Sequence, residues 1–178
     1  MKNGKTKTMA RCALFIALMA VGSFIRIPTP LGAIALQAQV ALLAGAVLGA
    51  GWGFTAIALY IVLGLVGAPV FAGGGGFAYV LQPTFGFLLG FALSALFVGG
   101  VLRLGVKTNK PSAKRIALAL FVGLLVLYVV GWLYGVAILT LHINTSITLK
   151  AYGVYLLVLF PKDILLTLAS VPLIKRIL

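Results

Sequence analysis

Apolar residues run along this chain in long stretches, broken at a few points by proline, glycine or basic residues, and the breaks define the elements. The first run covers about residues 9–27 and ends at Pro28-Thr29-Pro30, which cannot continue a helix. Two shorter runs follow at about 36–48 and 52–66, separated by Gly49-Ala50-Gly51-Trp52-Gly53. A glycine-rich segment, 67–76, leads to a fourth run at about 79–102, and a fifth covers about 116–141. The stretch 147–160 reaches Pro161, after which a helix over about 162–178 completes the path. Runs this long predict membrane-spanning helices, the second and third short enough to require tilt or local bilayer thinning.

Composition makes the same case from another side. The chain of 178 residues is 63% hydrophobic, holds 22 glycines and is only 8% charged. So few charges cannot cover the surface of a water-soluble domain, which excludes soluble enzymes and soluble binding modules. The net charge of +13 is no nucleic-acid footprint, because the basic residues fall in patches between apolar runs. Lys2, Lys5, Lys7 and Arg11 form the first patch. Arg103, Lys107, Lys110, Lys114 and Arg115 form the second, and Lys175 and Arg176 the third. With all three on the cytoplasmic side, an even number of spans separates each from the next. Four fit before the second patch and two after it. The fold predicted is an all-α membrane protein with six transmembrane helices, both termini cytoplasmic, in a single domain over 1–178.

The basic N-terminus before an apolar run also has the look of a signal peptide, but its removal spoils the even count. Cys12, the one cysteine, excludes an intrachain disulfide and reads as a small buried side chain. Gly45–Gly49, Gly49–Gly53, Gly86–Gly90 and Gly131–Gly135 are small-xxx-small spacings that let helix backbones approach closely in lipid.

The inventory for chemistry is thin. Asp163 is the one acid and His142 the one histidine. There is no HExxH, no Walker lysine motif and no CxxC, and Gly73-Gly74-Gly75-Gly76 is not followed by the Gly-Lys-Ser/Thr of a phosphate loop. Catalysis is not expected. Proton- or sodium-coupled transport usually needs intramembrane carboxylates, so a solute carrier of this composition draws its energy from another subunit.

Asp163 lies twelve positions before Lys175, about 18 Å above the cytoplasmic charges at helical rise. An ionised carboxylate there costs several kcal/mol unless it is paired. Two readings stand: a helix N-cap after Pro161 paired with Lys162 or Lys150, or a ligand contact. The second is favoured, since Ser or Asn caps a helix without a buried charge. Arg26, Lys150 and Lys162 are the basic residues outside the cytoplasmic patches, suited to an anionic solute or to snorkelling. Gln37 and Gln39 follow the first external loop, where an amide bonds a ligand or a helix end; His142 reads as a loop residue. The segment Pro69-Val70-Phe71-Ala72-Gly73-Gly74-Gly75-Gly76-Phe77-Ala78-Tyr79 is too long for a plain turn and reads as a lid. Phe77, Tyr79, Phe85 and Phe87 are candidates for an apolar wall.

Gly67-Ala68-Pro69-Val70-Phe71-Ala72-Gly73-Gly74 and Gln82-Pro83-Thr84-Phe85-Gly86-Phe87-Leu88-Leu89-Gly90-Phe91 resemble the signature of the BioY family, the biotin-specific substrate-binding (S) components of energy-coupling factor (ECF) transporters. Ala10-Arg11 and the run to Ala17, Ala35-Leu36-Gln37 and Pro161-Lys162-Asp163 extend the likeness over nearly the whole chain. The resemblance implies the S-component fold in a prokaryotic cell membrane and biotin as transported ligand, with no cofactor or metal. Its implied partners are an ECF transmembrane coupling protein and a pair of ABC ATPases. It implies docking on the coupling protein through Ala13 and Ala17. It also implies a biotin site formed by Asp163, Gln37 and the loop through Gly73, Gly74, Gly75, Phe77 and Tyr79, to which the residues themselves add Phe87 as apolar wall and Lys162 as a substitute cation. Many members carry Lys three residues after the acid; this chain has Leu166 there, and Lys162 is the adjacent cation. The competing expectations are an S component for thiamine or riboflavin and a non-transporting membrane scaffold.

Overall fold

In hydrocarbon each backbone N–H and C=O must be satisfied within its own segment, and the apolar runs of this chain accordingly fold as helices. The structure, a computed structural model, describes residues 2–29, 32–104, 110–143 and 149–178. Among them are six α-helices: α1 (Lys2–Phe24), α2 (Gln37–Leu48), α3 (Ala50–Leu65), α4 (Phe85–Arg103), α5 (Ala113–Ile138) and α6 (Leu149–Ile177). Helices α1, α4, α5 and α6 contain segments long and apolar enough to cross a membrane. At 12 and 16 residues, α2 and α3 rise about 18 and 24 Å, short of the ~30 Å hydrocarbon core.

The short α2 is the hub, in contact with every other helix. Its sequence is rich in alanine and glycine, so neighbouring backbones come close. A side chain at Gly45 would enter the Ala95 backbone of α4, and one at Gly53 of α3 would press on Gly45 and Ala44. The most extensive packing is α4 on α5, where Gly86 and Gly90 face Tyr134 and Leu127. The small-residue spacings are thus used between helices, as expected.

Gly49 joins α2 to α3 with a φ of 83°, and the Arg103 guanidinium fills the space a side chain would need. Arg103 Nη2 donates to the Leu48 carbonyl at 3.2 Å. Arg115 Nε and Nη2 donate to the Val101 carbonyl at 3.2 and 3.0 Å. Two arginines of the central basic patch therefore cap carbonyls at the C-terminal ends of α2 and α4.

Three boundaries differ from the sequence reading. Helix α1 stops at Phe24, and an antiparallel strand pair follows, β1 (Arg26–Thr29) with β2 (Gly32–Ala35), Arg26 opposite Ala35. Proline is tolerated there because a two-stranded ribbon has free edges. The fourth run does not enter α4 at residue 79. Phe77–Leu81 forms one 3-10 turn, Gln82 before Pro83 is extended, and α4 opens at Phe85. Finally, α6 does not restart after Pro161 but runs through Pro161 and Pro172 as one helix.

Candidate functional site

The continuity of α6 decides what Asp163 is. It stands at the centre of the helix and is 5% exposed, so it is not an N-cap. Tyr128 of α5 donates its hydroxyl to Asp163 Oδ2 at 2.6 Å. Lys162, the adjacent residue and one-third exposed, brings Nζ to 2.8 Å from Oδ1. Oδ2 thus accepts a hydrogen bond from a neighbouring helix, whereas the buried Oδ1 accepts no hydrogen bond from the described residues and has only the Lys162 cation at ion-pair distance.

Aromatic rings surround this pair. Tyr128 meets Phe160 edge-on at 5.2 Å and 90°, and Phe87 of α4 at 6.2 Å and 88°. The Phe87 ring lies on Gly131 and the Tyr152 ring on Gly135, so the small residues of α5 make room for rings on both flanks. From α2, Gln39 Nε2 donates to the Asp163 carbonyl at 3.1 Å and to Thr167 Oγ1 at 3.3 Å. The arrangement is a charged group in an aromatic setting between helices. It can bind and orient a solute, and it offers no nucleophile–base pair.

A second cluster lies around the glycine segment. Tyr60 of α3 donates to the Val70 carbonyl at 2.8 Å, and Gln37 Nε2 donates to Tyr60 Oη at 2.6 Å and to the Met19 carbonyl at 3.2 Å. Phe71 is buried, edge-on to Tyr60 at 5.6 Å and tilted against Tyr79 at 4.7 Å, with its ring seated on Gly64. Phe71 and Gly74 exchange backbone hydrogen bonds of 2.8 and 3.1 Å, and Gly76 N–H donates to the Gly64 carbonyl at 2.7 Å. Gly67, Gly74 and Gly76 all have positive φ, which these tight turns require. The segment is a loop pinned to α3 by the Phe71 plug and the Gly76–Gly64 hydrogen bond.

The structure therefore gathers the expected residues into two groups. Asp163, Lys162 and Phe87 share the first; Gln37, Gly73, Gly74, Gly75 and Tyr79 share the second, with Gly73 beside the Tyr79 ring. Gln37 and Gln39, both in the first turn of α2, reach into one group each. The aromatic wall does not form as one surface: Tyr79 packs on Phe71, Phe85 on Tyr134 and Phe87 on Tyr128, while Phe77 is 78% exposed. The side chains of Arg26, His142 and Lys150, Pro30 and Lys107 lie outside the described residues. Ala13 and Ala17 lie exposed on α1, opposite the inward stripe of Cys12, Phe15 and Met19. Sequence reasoning missed Tyr128, Phe160, Tyr60 and Phe71. For Tyr128 a signal was present, since Gly131 and Gly135 follow it on one helix face.

Fold and site together define a multi-pass membrane protein with a charged, ring-lined centre between its helices. The BioY family model matches residues 1–178, and the chain belongs to the BioY family. It is 43% identical to a probable biotin transporter BioY of Lysinibacillus sphaericus, over 81% of this chain and 72% of that one. It is 34% identical to the biotin transporter BioY2 of Lactococcus lactis, over 99% and 95% of the two chains. A crystal structure of the S-component for biotin from an ECF-type ABC transporter superposes with a TM-score of 0.84 at 25% identity. That match covers 99% of this chain and 93% of that one.

Proposed function

We propose that this chain is a biotin-capturing S component and that Asp163 is the group that receives the vitamin. The observation that carries the reading is the carboxylate at the centre of α6, buried and edged by aromatic rings, with Oδ2 hydrogen-bonded to Tyr128 and Oδ1 left with only an ion-pair contact. Biotin presents two ureido N–H donors, which a carboxylate in a low-dielectric interior accepts strongly. Phe87, Tyr128 and Phe160 suit the apolar thiophane ring. As the ureido head takes over Asp163 Oδ1, the Lys162 ammonium is released and becomes available to the valerate carboxylate. Gln37 and the loop through Gly73, Gly74, Gly75, Phe77 and Tyr79 cover the ligand from the outer side.

The subunit is not an enzyme. Transport follows from reorientation in the plasma membrane on an ECF coupling protein, driven by a pair of ABC ATPases, with Ala13 and Ala17 as the close-approach points. The test is thermal unfolding of the purified protein with candidate vitamins. Biotin raises Tm while thiamine and riboflavin leave it unchanged; equal responses to all three reject the assignment. Asp163→Asn weakens biotin binding by about 1–3 kcal/mol, the loss expected for a hydrogen bond to a charged group. Unchanged affinity removes Asp163 from the site.

A further inference from the structure

The two groups that hold Asp163 are not equivalent. Lys162 shares its helix, is one-third exposed and bears on Oδ1 through a flexible stem. Tyr128 comes from α5, is buried, and its ring is fixed between Phe160 and Phe87 by two edge-on contacts. Phe87 is in turn lodged against Gly131, one turn from Tyr128 on the same helix. The hydroxyl to Oδ2 distance of 2.6 Å is that of a short charge-assisted bond. Of the two contacts, the exposed lysine's is the more readily exchanged and the buried tyrosine's the more firmly fixed.

We propose that Tyr128 is a positioning residue that sets the selectivity of the Asp163 site for N–H donors. This rests on the reading that Asp163 receives the ureido head. With Oδ2 anchored by a neutral donor, the carboxylate cannot rotate to grip Lys162 through both oxygens. Oδ1 then stays exchangeable, at a fixed orientation, to any head that offers N–H groups. A head presenting an acceptor there meets only negative charge. Without the phenol hydroxyl, Oδ2 becomes free for the ammonium, and the ligand must compete with a tighter ion pair while facing a carboxylate of variable orientation.

The experiment measures affinity for biotin and for biotin methylated at one ureido nitrogen, in the unaltered protein, Tyr128→Phe, Asp163→Asn and the double variant. The Phe side chain keeps the ring and both edge contacts. In Tyr128→Phe, biotin affinity falls about tenfold, as expected for one hydrogen bond to a charged group. The methylated analogue loses less, so discrimination between the two ligands shrinks. The double variant binds no more weakly than Asp163→Asn. Equal losses for both ligands, additive losses in the double variant, or unchanged affinity in Tyr128→Phe beside an impaired Asp163→Asn overturn the proposal alone. Unchanged affinity in Asp163→Asn overturns the site reading with it. Should Tyr128→Phe lower the ligand-free Tm, the ratio of the two affinities in the folded fraction remains the deciding quantity.

Discussion

A carboxylate at the centre of a membrane helix needs partners, and the partners of Asp163 came from two different kinds of information. As the one acid of the chain it could be singled out from the sequence, and Lys162 with it by adjacency. For Tyr128 the sequence offers only the helix face shared with Gly131 and Gly135, and nothing that points to Asp163. A tyrosine in an apolar span is ordinary, and its hydroxyl finds Asp163 only through the rotational setting of α5 against α6. The pairing has a measurable consequence. In Lys162→Gln the buried carboxylate loses its cation but keeps its tyrosine. Thermal unfolding without ligand should then show a loss of about 1–3 kcal/mol, the order of leaving a buried polar group without its partner. Lys162→Gln combined with Asp163→Asn removes the charge as well as the cation, so part of that loss returns. A double variant less stable than Lys162→Gln alone contradicts the pairing.

At the scale of elements, apolar runs located the helices and misjudged what lies between them. Pro161 was expected to end a helix, as proline does where water can take the freed carbonyl. Inside a bilayer no water competes, neighbouring helices support the backbone, and α6 continues through two prolines. The glycine segment was legible as unusual, but its anchor was not. Phe71 becomes a plug because Gly64, seven residues earlier near the end of α3, leaves space for its ring against Tyr60 and Tyr79. Gly64→Ala puts a methyl group into that ring position, and overpacking of this kind costs about 1–3 kcal/mol. The plug is expected to leave its seat. Amide hydrogen exchange over residues 67–76 should then accelerate, with biotin affinity reduced and the exchange of α4 and α5 unaltered. Phe71→Ala should reproduce the effect by emptying the seat. If exchange in the loop is unchanged in both variants, Phe71 does not anchor it.

The whole molecule follows from a charge pattern and a shortage of acids. Four helices lie between the first and second basic patches and two between the second and third, the even counts that a common cytoplasmic side requires. The chain holds one acid, and the proposed drive from a coupling protein and its ATPases requires a contact surface through which work is delivered. Helix α1 is the candidate for that surface. Its inward stripe of Cys12, Phe15 and Met19 fixes which side faces the bundle, and this leaves Ala13 and Ala17 outward, one turn apart. Two alanines at that spacing let a partner helix approach to backbone distance, whereas a bulky residue holds it away. Ala13→Trp and Ala17→Trp should therefore fold normally, since the new ring faces lipid rather than the core. Biotin should raise their Tm as it does in the unaltered protein, because Asp163 and the glycine loop are untouched. Co-purification with a coupling protein and uptake of biotin by cells should both be lost. Retained co-purification in both variants would move the docking surface off this face of α1, while loss of the biotin-induced shift would mean that α1 supports the site itself, through the Met19 carbonyl that Gln37 grips.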